Sequence, residues 1–402
     1  MGLSSCRCAS SADPATLLEA APDDLVEALA TLRPADVRPL TTALAALALS
    51  RCATESQALL GVWPALRLSE HVDRSRVLAP LIHSAVRIRR QAASAPFQLP
   101  DLPDQAGPTD VQLLQEALGH DDLPAAEAQL AGLLARDDPL SAQLVVAWYS
   151  CREYGHHGHN AALASAARRL IANGATTQLL RAPIHAMVAH RRADPRVKPS
   201  RITQVARDDA SISLTIAAAT ALGAAELAGP WPEELHLYLA ADSIEDLSDW
   251  IASQGRDAQA RMMRARGLDW MDAWWRGKSS YPRPRPAPAH TVVLPDGTQQ
   301  ALDWLMDAAA AGSTTDVSAG LADWGSRPLP PLQSLLAEAS LATSVRSGGH
   351  ATQVAVSVAE RAHPAELSLC APMLVAAARE TEADYEVIAA ALRTPGYPFR
   401  GR

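Results

Sequence analysis

Phenylalanine is close to absent: the chain of 402 residues holds two, and aromatic residues make up only 4% of it. A core with so few rings must be filled by small aliphatic side chains. Alanine and leucine dominate, as they do where helices pack closely. Cysteine is scarce too: Cys6, Cys8, Cys52, Cys151 and Cys370 are few, odd in number and scattered, which excludes a disulfide-built scaffold. Cys6-Arg7-Cys8 reads as two incidental thiols rather than a soft-metal pair. No apolar run reaches the ~18 residues of a membrane span. The first twenty residues carry acids and no apolar h-region, so no signal peptide is expected. Met1-Gly2 lacks the Ser or Thr at position 6 of a myristoylation start. An excess of positive charge is also missing. The formal net charge of −8 argues against a nucleic-acid surface. The expectation is a soluble cytoplasmic protein without nucleic-acid or membrane partners.

The strong enzyme signatures are absent as well. There is no G-x-S-x-G elbow, Walker loop, H-E-x-x-H, C-x-x-C or G-x-G-x-x-G after a strand. What the chain does have is helical periodicity. After a disordered lead (1–14), an N-terminal helical segment runs over 15–95, with its second helix near Ala35–Ser50. Pro96, Pro100, Pro103 and Pro108 break any continuous helix there. Helices are then expected at Asp110–Leu118, Leu123–Ala135, Pro139–Cys151, Ala161–Ile171 and Thr177–Arg191, within a segment spanning 96–192. A helical insert over 193–290, including Glu234–Ala240, Ile244–Gln254 and Ala258–Trp275, ends in the Pro-rich stretch at Tyr281–Pro288. Thr291–Leu294 is the best strand candidate, with a turn at Pro295-Asp296-Gly297. Helices resume over 291–395, before a tail at 396–402. The fold class is all-α.

Two of these segments match in element order and punctuation, at an offset of about 190 residues. Leu99-Pro100-Asp101 answers Leu294-Pro295-Asp296, and Ala131-Gly132-Leu133 answers Ala319-Gly320-Leu321. Gly158-His159 answers Gly349-His350, and Ala182-Pro183 answers Ala371-Pro372. This pattern predicts an internal duplication of helical hairpins forming a repeat-like or bundle-like array.

The densest cluster of chemistry-bearing groups is Glu153-Tyr154-Gly155-His156-His157-Gly158-His159-Asn160. Read as an acid–base site, Glu153 or Asn160 orients one of His156, His157 and His159. Read as a divalent-metal site, His159 needs ligands from another helix, and His185 and His190 are the candidates. Read as structure, the glycines make a turn and the imidazoles cap helix ends. A His at a helix N-terminus is biased towards its neutral form. Met262, Met263, Trp270, Met271, Trp274 and Trp275 suggest an apolar patch: packing in the plain reading, a pocket wall in the sharper one.

Helical hairpins with a His at a Gly-marked helix start, at Gly158-His159 and Gly349-His350, resemble the questin oxidase-like family. The resemblance covers Leu113–Arg192 and Leu302–Glu380. It implies an all-α fold and oxygen-dependent opening of a polycyclic aromatic ring, with NADPH as reductant. The leading expectation is therefore an oxidoreductase acting on an apolar small molecule, with catalytic His159, His157, His156 and Glu153. The alternative is a non-catalytic helical-repeat protein that binds a protein partner.

Overall fold

The computed structural model describes residues 34–51, 101–103, 108–151, 158–189, 213–214, 232–277 and 291–326. It also describes positions 59, 62–63, 66–67, 81, 84–85, 88, 367–368, 371 and 375. Among the described residues 83% are helical and none is in a strand, so the fold is all-α. The helices are α1 (Pro34–Arg51), α2 (Val111–Gly119), α3 (Leu123–Ala135), α4 (Pro139–Ser150), α5 (His159–Ala172) and α6 (Arg181–Ala189). They continue with α7 (Pro232–Ser253), α8 (Asp257–Gly277), α9 (Thr298–Ala311) and α10 (Thr314–Ser326). A 3-10 turn, Thr177–Leu180, leads into α6.

Aspartates set the starts of α2, α3 and α4. Asp110 accepts from the Gln112 N–H, Asp122 from Ala125 and Asp138 from Ser141. Each satisfies a donor that the first turn leaves without an intrahelical partner. Before α3 and α4 the residue preceding the cap reverses the chain. Asp121 and Asp137 lie at φ 57° and 58°, and the N–H groups of Asp122 and Asp138 close back on the carbonyls of Ala117 and Leu133. This helix-ending turn normally takes glycine. Gly119 is the last residue of α2.

Helix α5 is the axis of the fold and packs against α4, α6, α7 and the 3-10 turn. Residues 159–167 are all buried. Ala161 and Ala164 enter one apolar core, together with residues of α2–α4 and α7–α10. Ala162, Leu163, Ala166, Ala167 and Leu170 enter a second core, shared with α1 and Leu59, Val62, Leu66 and Leu81. A helix buried all round needs small side chains to let its neighbours approach, which explains the alanine content.

Three expectations need correction. Thr291–Leu294 forms no strand. The Leu294 N–H donates instead to Asp323 Oδ2 of α10 at 3.0 Å, so one side chain does what a ladder would have done. The two helices expected at Glu234–Ala240 and Ile244–Gln254 are one continuous helix, α7. Its middle, Asp242-Ser243, looks like turn chemistry but is buried and helical. The Trp/Met patch divides: Met263, Trp270 and Met271 are buried in the core, whereas Met262 faces solvent. The side chains of Trp274 and Trp275 lie outside the described residues.

Candidate functional site

Gly158 stands at φ 86° and opens α5 without contributing a side-chain cap. That left-handed conformation is cheap only for glycine. It turns His159 and Asn160 inward, and both are 3% exposed. The Oδ1 of Asn160 is buried without a hydrogen-bond partner among the described residues. His159 is therefore an interior group rather than part of a solvent-facing turn. Glu153, His156, His157 and His190, and the second-copy His350, lie outside the described residues.

His185 sits on α6, which packs against both α5 and α3. Its Nε2 lies 2.6 Å from Glu127 Oε1 on α3. Arg181, one helical turn before His185, donates Nε to the same oxygen at 2.7 Å, and its Nη2 lies at 2.7 Å as an ion-pair contact. The Arg181 side chain is 1% exposed, Glu127 11% and His185 13%. One carboxylate oxygen thus holds an arginine and a histidine presented four residues apart on one helix face. The partner of His185 is a carboxylate, not a second imidazole. No group of three or more His, Cys, Asp or Glu among the described residues is arranged to hold a metal ion.

A second buried cluster joins α5 to α7. Asp246 accepts from Ser165 Oγ at 2.6 Å and from Arg168 Nη2 at 2.9 Å, and it pairs with Arg169. Burial alone would raise its pKa. The Arg169 and Arg168 charges, with hydrogen bonds from Arg169 and Ser165, outweigh that and hold the carboxyl well below the usual range. Each guanidinium also lies over an indole, Arg168 on Trp250 and Arg169 on Trp63. One turn earlier on α7, Asp242 lies 3.7 Å from Arg67. Glu245 accepts from Ser213 Oγ and the Leu214 N–H. Cys151, at the end of α4, is pushed up to about 12 by burial, with the Ser150 contact opposing and the Asp246 charge adding.

Sequence reading singled out His159 and His185 but missed Glu127, Arg181 and Asp246. One signal was available: Glu127 is the lone charge in the apolar run Leu123–Ala135, and such a residue needs a partner. No family model matches the chain, and no curated protein or solved structure matches it either. No described helix is long and apolar enough to cross a membrane.

Proposed function

We propose that this chain is a helical oxidoreductase acting on an apolar small molecule, with fused-ring aromatics as the first substrate class to try. The observation that carries the reading is the placement of one buried and one half-buried imidazole on packed neighbouring helices. His159 heads α5, and His185 is fixed on α6 by Glu127. An imidazole at the head of an alanine-rich buried helix, and another held by a carboxylate, are suited to moving a proton during oxidation of an apolar substrate. His156, His157 and Glu153 belong to the same proposed site by their proximity in sequence to His159. Among the described residues no three-ligand metal set is arranged, and His190, the third ligand of the metal reading, lies outside them. The reductant in this reading is NADPH.

The test is oxygen uptake by purified protein with NADPH and a panel of fused-ring aromatics, repeated on His159→Ala and His185→Gln. Substrate-dependent uptake that both substitutions reduce at least tenfold supports the reading. No uptake across the panel, or activity indifferent to both changes, removes it.

The alternative reading is a helical-repeat protein that binds a protein partner. What favours it is a recurrence at the proposed offset. A helical hairpin, α2–α3, precedes the 3-10 turn at Thr177–Leu180 and the start of α6. The hairpin α9–α10 precedes 3-10 residues 367–368 and the helical Ala371. In this reading the two segments are duplicates that present one extended surface. An experimental structure whose two segments superpose helix for helix is the expected result. Differing helix order would sink the duplication.

A further inference from the structure

The Glu127–Arg181–His185 cluster carries an inference that stands on ring geometry and does not depend on the oxidoreductase reading. An arginine side chain can only donate, so Glu127 Oε1, which receives Arg181 Nε, is an acceptor. An acceptor 2.6 Å from His185 Nε2 requires that nitrogen to carry the proton. The neutral ring then has its lone pair on Nδ1. Nδ1 has no hydrogen-bond partner among the described residues. It is also not among the unpartnered atoms sealed from solvent. One nitrogen is thus anchored on Glu127, and the other is not sealed from solvent in a side chain that is 13% exposed. Such an arrangement fixes both tautomer and ring orientation.

We propose that His185 is a catalytic base whose Nδ1 takes a proton from water or from a hydroxyl group of a small ligand, with Glu127 and Arg181 as positioning residues. In that step the ligand O–H bond breaks and an N–H bond forms at Nδ1. The ligand oxygen keeps the electron pair as an oxyanion, and the new imidazolium keeps its Nε2–H on Glu127. No oxidant or reductant is involved. Arg181 acts through Glu127. Its Nε–H donates to the oxygen that faces His185 Nε2 and so helps to hold the carboxylate in place.

The tautomer is readable without knowing the natural substrate. Full-length protein carrying labelled histidine is examined by nitrogen NMR at about pH 8, where free imidazole is neutral. The His185 signals are assigned by their loss in His185→Gln. The expected wild-type state is Nε2–H with bare Nδ1. In Glu127→Gln and Arg181→Met, with folding verified by circular dichroism, a mixture of tautomers is expected. Diethyl pyrocarbonate should modify His185 of the native protein. Water activation is probed with p-nitrophenyl acetate, where His185→Gln should lower the rate above background at least tenfold and Arg181→Met by a smaller factor. A protonated Nδ1 or a mixed tautomer in the wild type overturns the proposal. So does protection of His185 from the reagent, or an ester rate indifferent to His185→Gln. A tautomer unchanged in both Glu127→Gln and Arg181→Met removes the positioning role.

Discussion

Removing the Asp246 carboxylate should be among the most damaging single changes in this protein. Its side chain is 8% exposed and faces Arg168 and Arg169, themselves 14% and 17% exposed. At an effective dielectric of about 20, opposite unit charges at this range attract by several kcal/mol, and that attraction offsets the desolvation of three ions. Asp246→Ala takes away the attraction and leaves two cations without it, a change that typically costs about 3–5 kcal/mol. The partial exposure of the guanidiniums places the expectation near the lower end, about 3 kcal/mol. Arg168→Met should cost less, about 1–2 kcal/mol, because Asp246 keeps Arg169 and Ser165. Urea denaturation at neutral pH measures both. The pH dependence is the sharper check. Because the folded pKa lies below the unfolded value near 3.9, the stabilisation is full above that value. It is lost as pH falls below it towards the folded pKa. Asp246→Asn should flatten that acid limb. Replacing Asp246, Arg168 and Arg169 together by leucine should restore much of the lost stability, since no charge of this cluster is then left to be desolvated. An Asp246→Ala variant within about 1 kcal/mol of wild type, with an unchanged acid limb, would refute the reasoning.

Three further outcomes follow from local geometry. Gly320→Ala should destabilise by about 1–3 kcal/mol, against the usual helix preference for alanine, because the new Cβ would lie 2.8 Å from both Leu305 and Trp304; thermal melting is the measurement, and a raised Tm would contradict it. Asp121→Gly and Asp137→Gly should each stabilise by about 0.5–1 kcal/mol by relieving left-handed backbone, read by urea midpoints, with unchanged or lower midpoints counting against the strain argument. Cys151, with its thiol pushed up to about 12, should stay unlabelled by iodoacetamide at about pH 8 in native protein and react on unfolding; peptide mapping that finds it labelled in the native state would show the site to be open.

How much of this was legible depended on whether a feature was local. The helices Leu123–Ala135 and Pro139–Ser150 start where an aspartate is followed within two residues by proline, because capping is a matter of a few adjacent residues. Where two local signals competed, reading failed. Asp242-Ser243 carries turn-forming residues, yet α7 runs through it because Arg67 pairs with Asp242 and residues 239–248 are all buried between the two cores. Val292 and Val293 suggested a strand, but a strand requires a neighbouring ladder, which is a property of the fold rather than of the segment. The site was half legible for the same reason. His159 and His185 stand out as residue types. The Glu127 partner lies 58 residues from His185 in sequence, and no spacing rule connects them.

The buried charges also show why the active group is better sought on α6 than on α7. An alanine-rich interface is permissive: neighbouring helices can slide by a turn and still bury similar apolar area. Ion pairs between helices distant in sequence remove that freedom, because a slipped register would strand a charge in the core. Asp246 with Arg168 and Arg169, and Asp242 with Arg67, fit that description. Their members are carboxylates and guanidiniums, and Asp246 in particular is held far below the range in which it could exchange a proton at neutral pH. The Glu127 cluster bridges α3 and α6 in the same manner but replaces one guanidinium with an imidazole. That side chain can hold the carboxylate through one nitrogen and meet a ligand through the other. A scaffold that needed only another staple at this crossing could have used a second arginine. The imidazole adds a lone pair at Nδ1, turned away from the staple, and that lone pair is the feature a proton-transfer site requires.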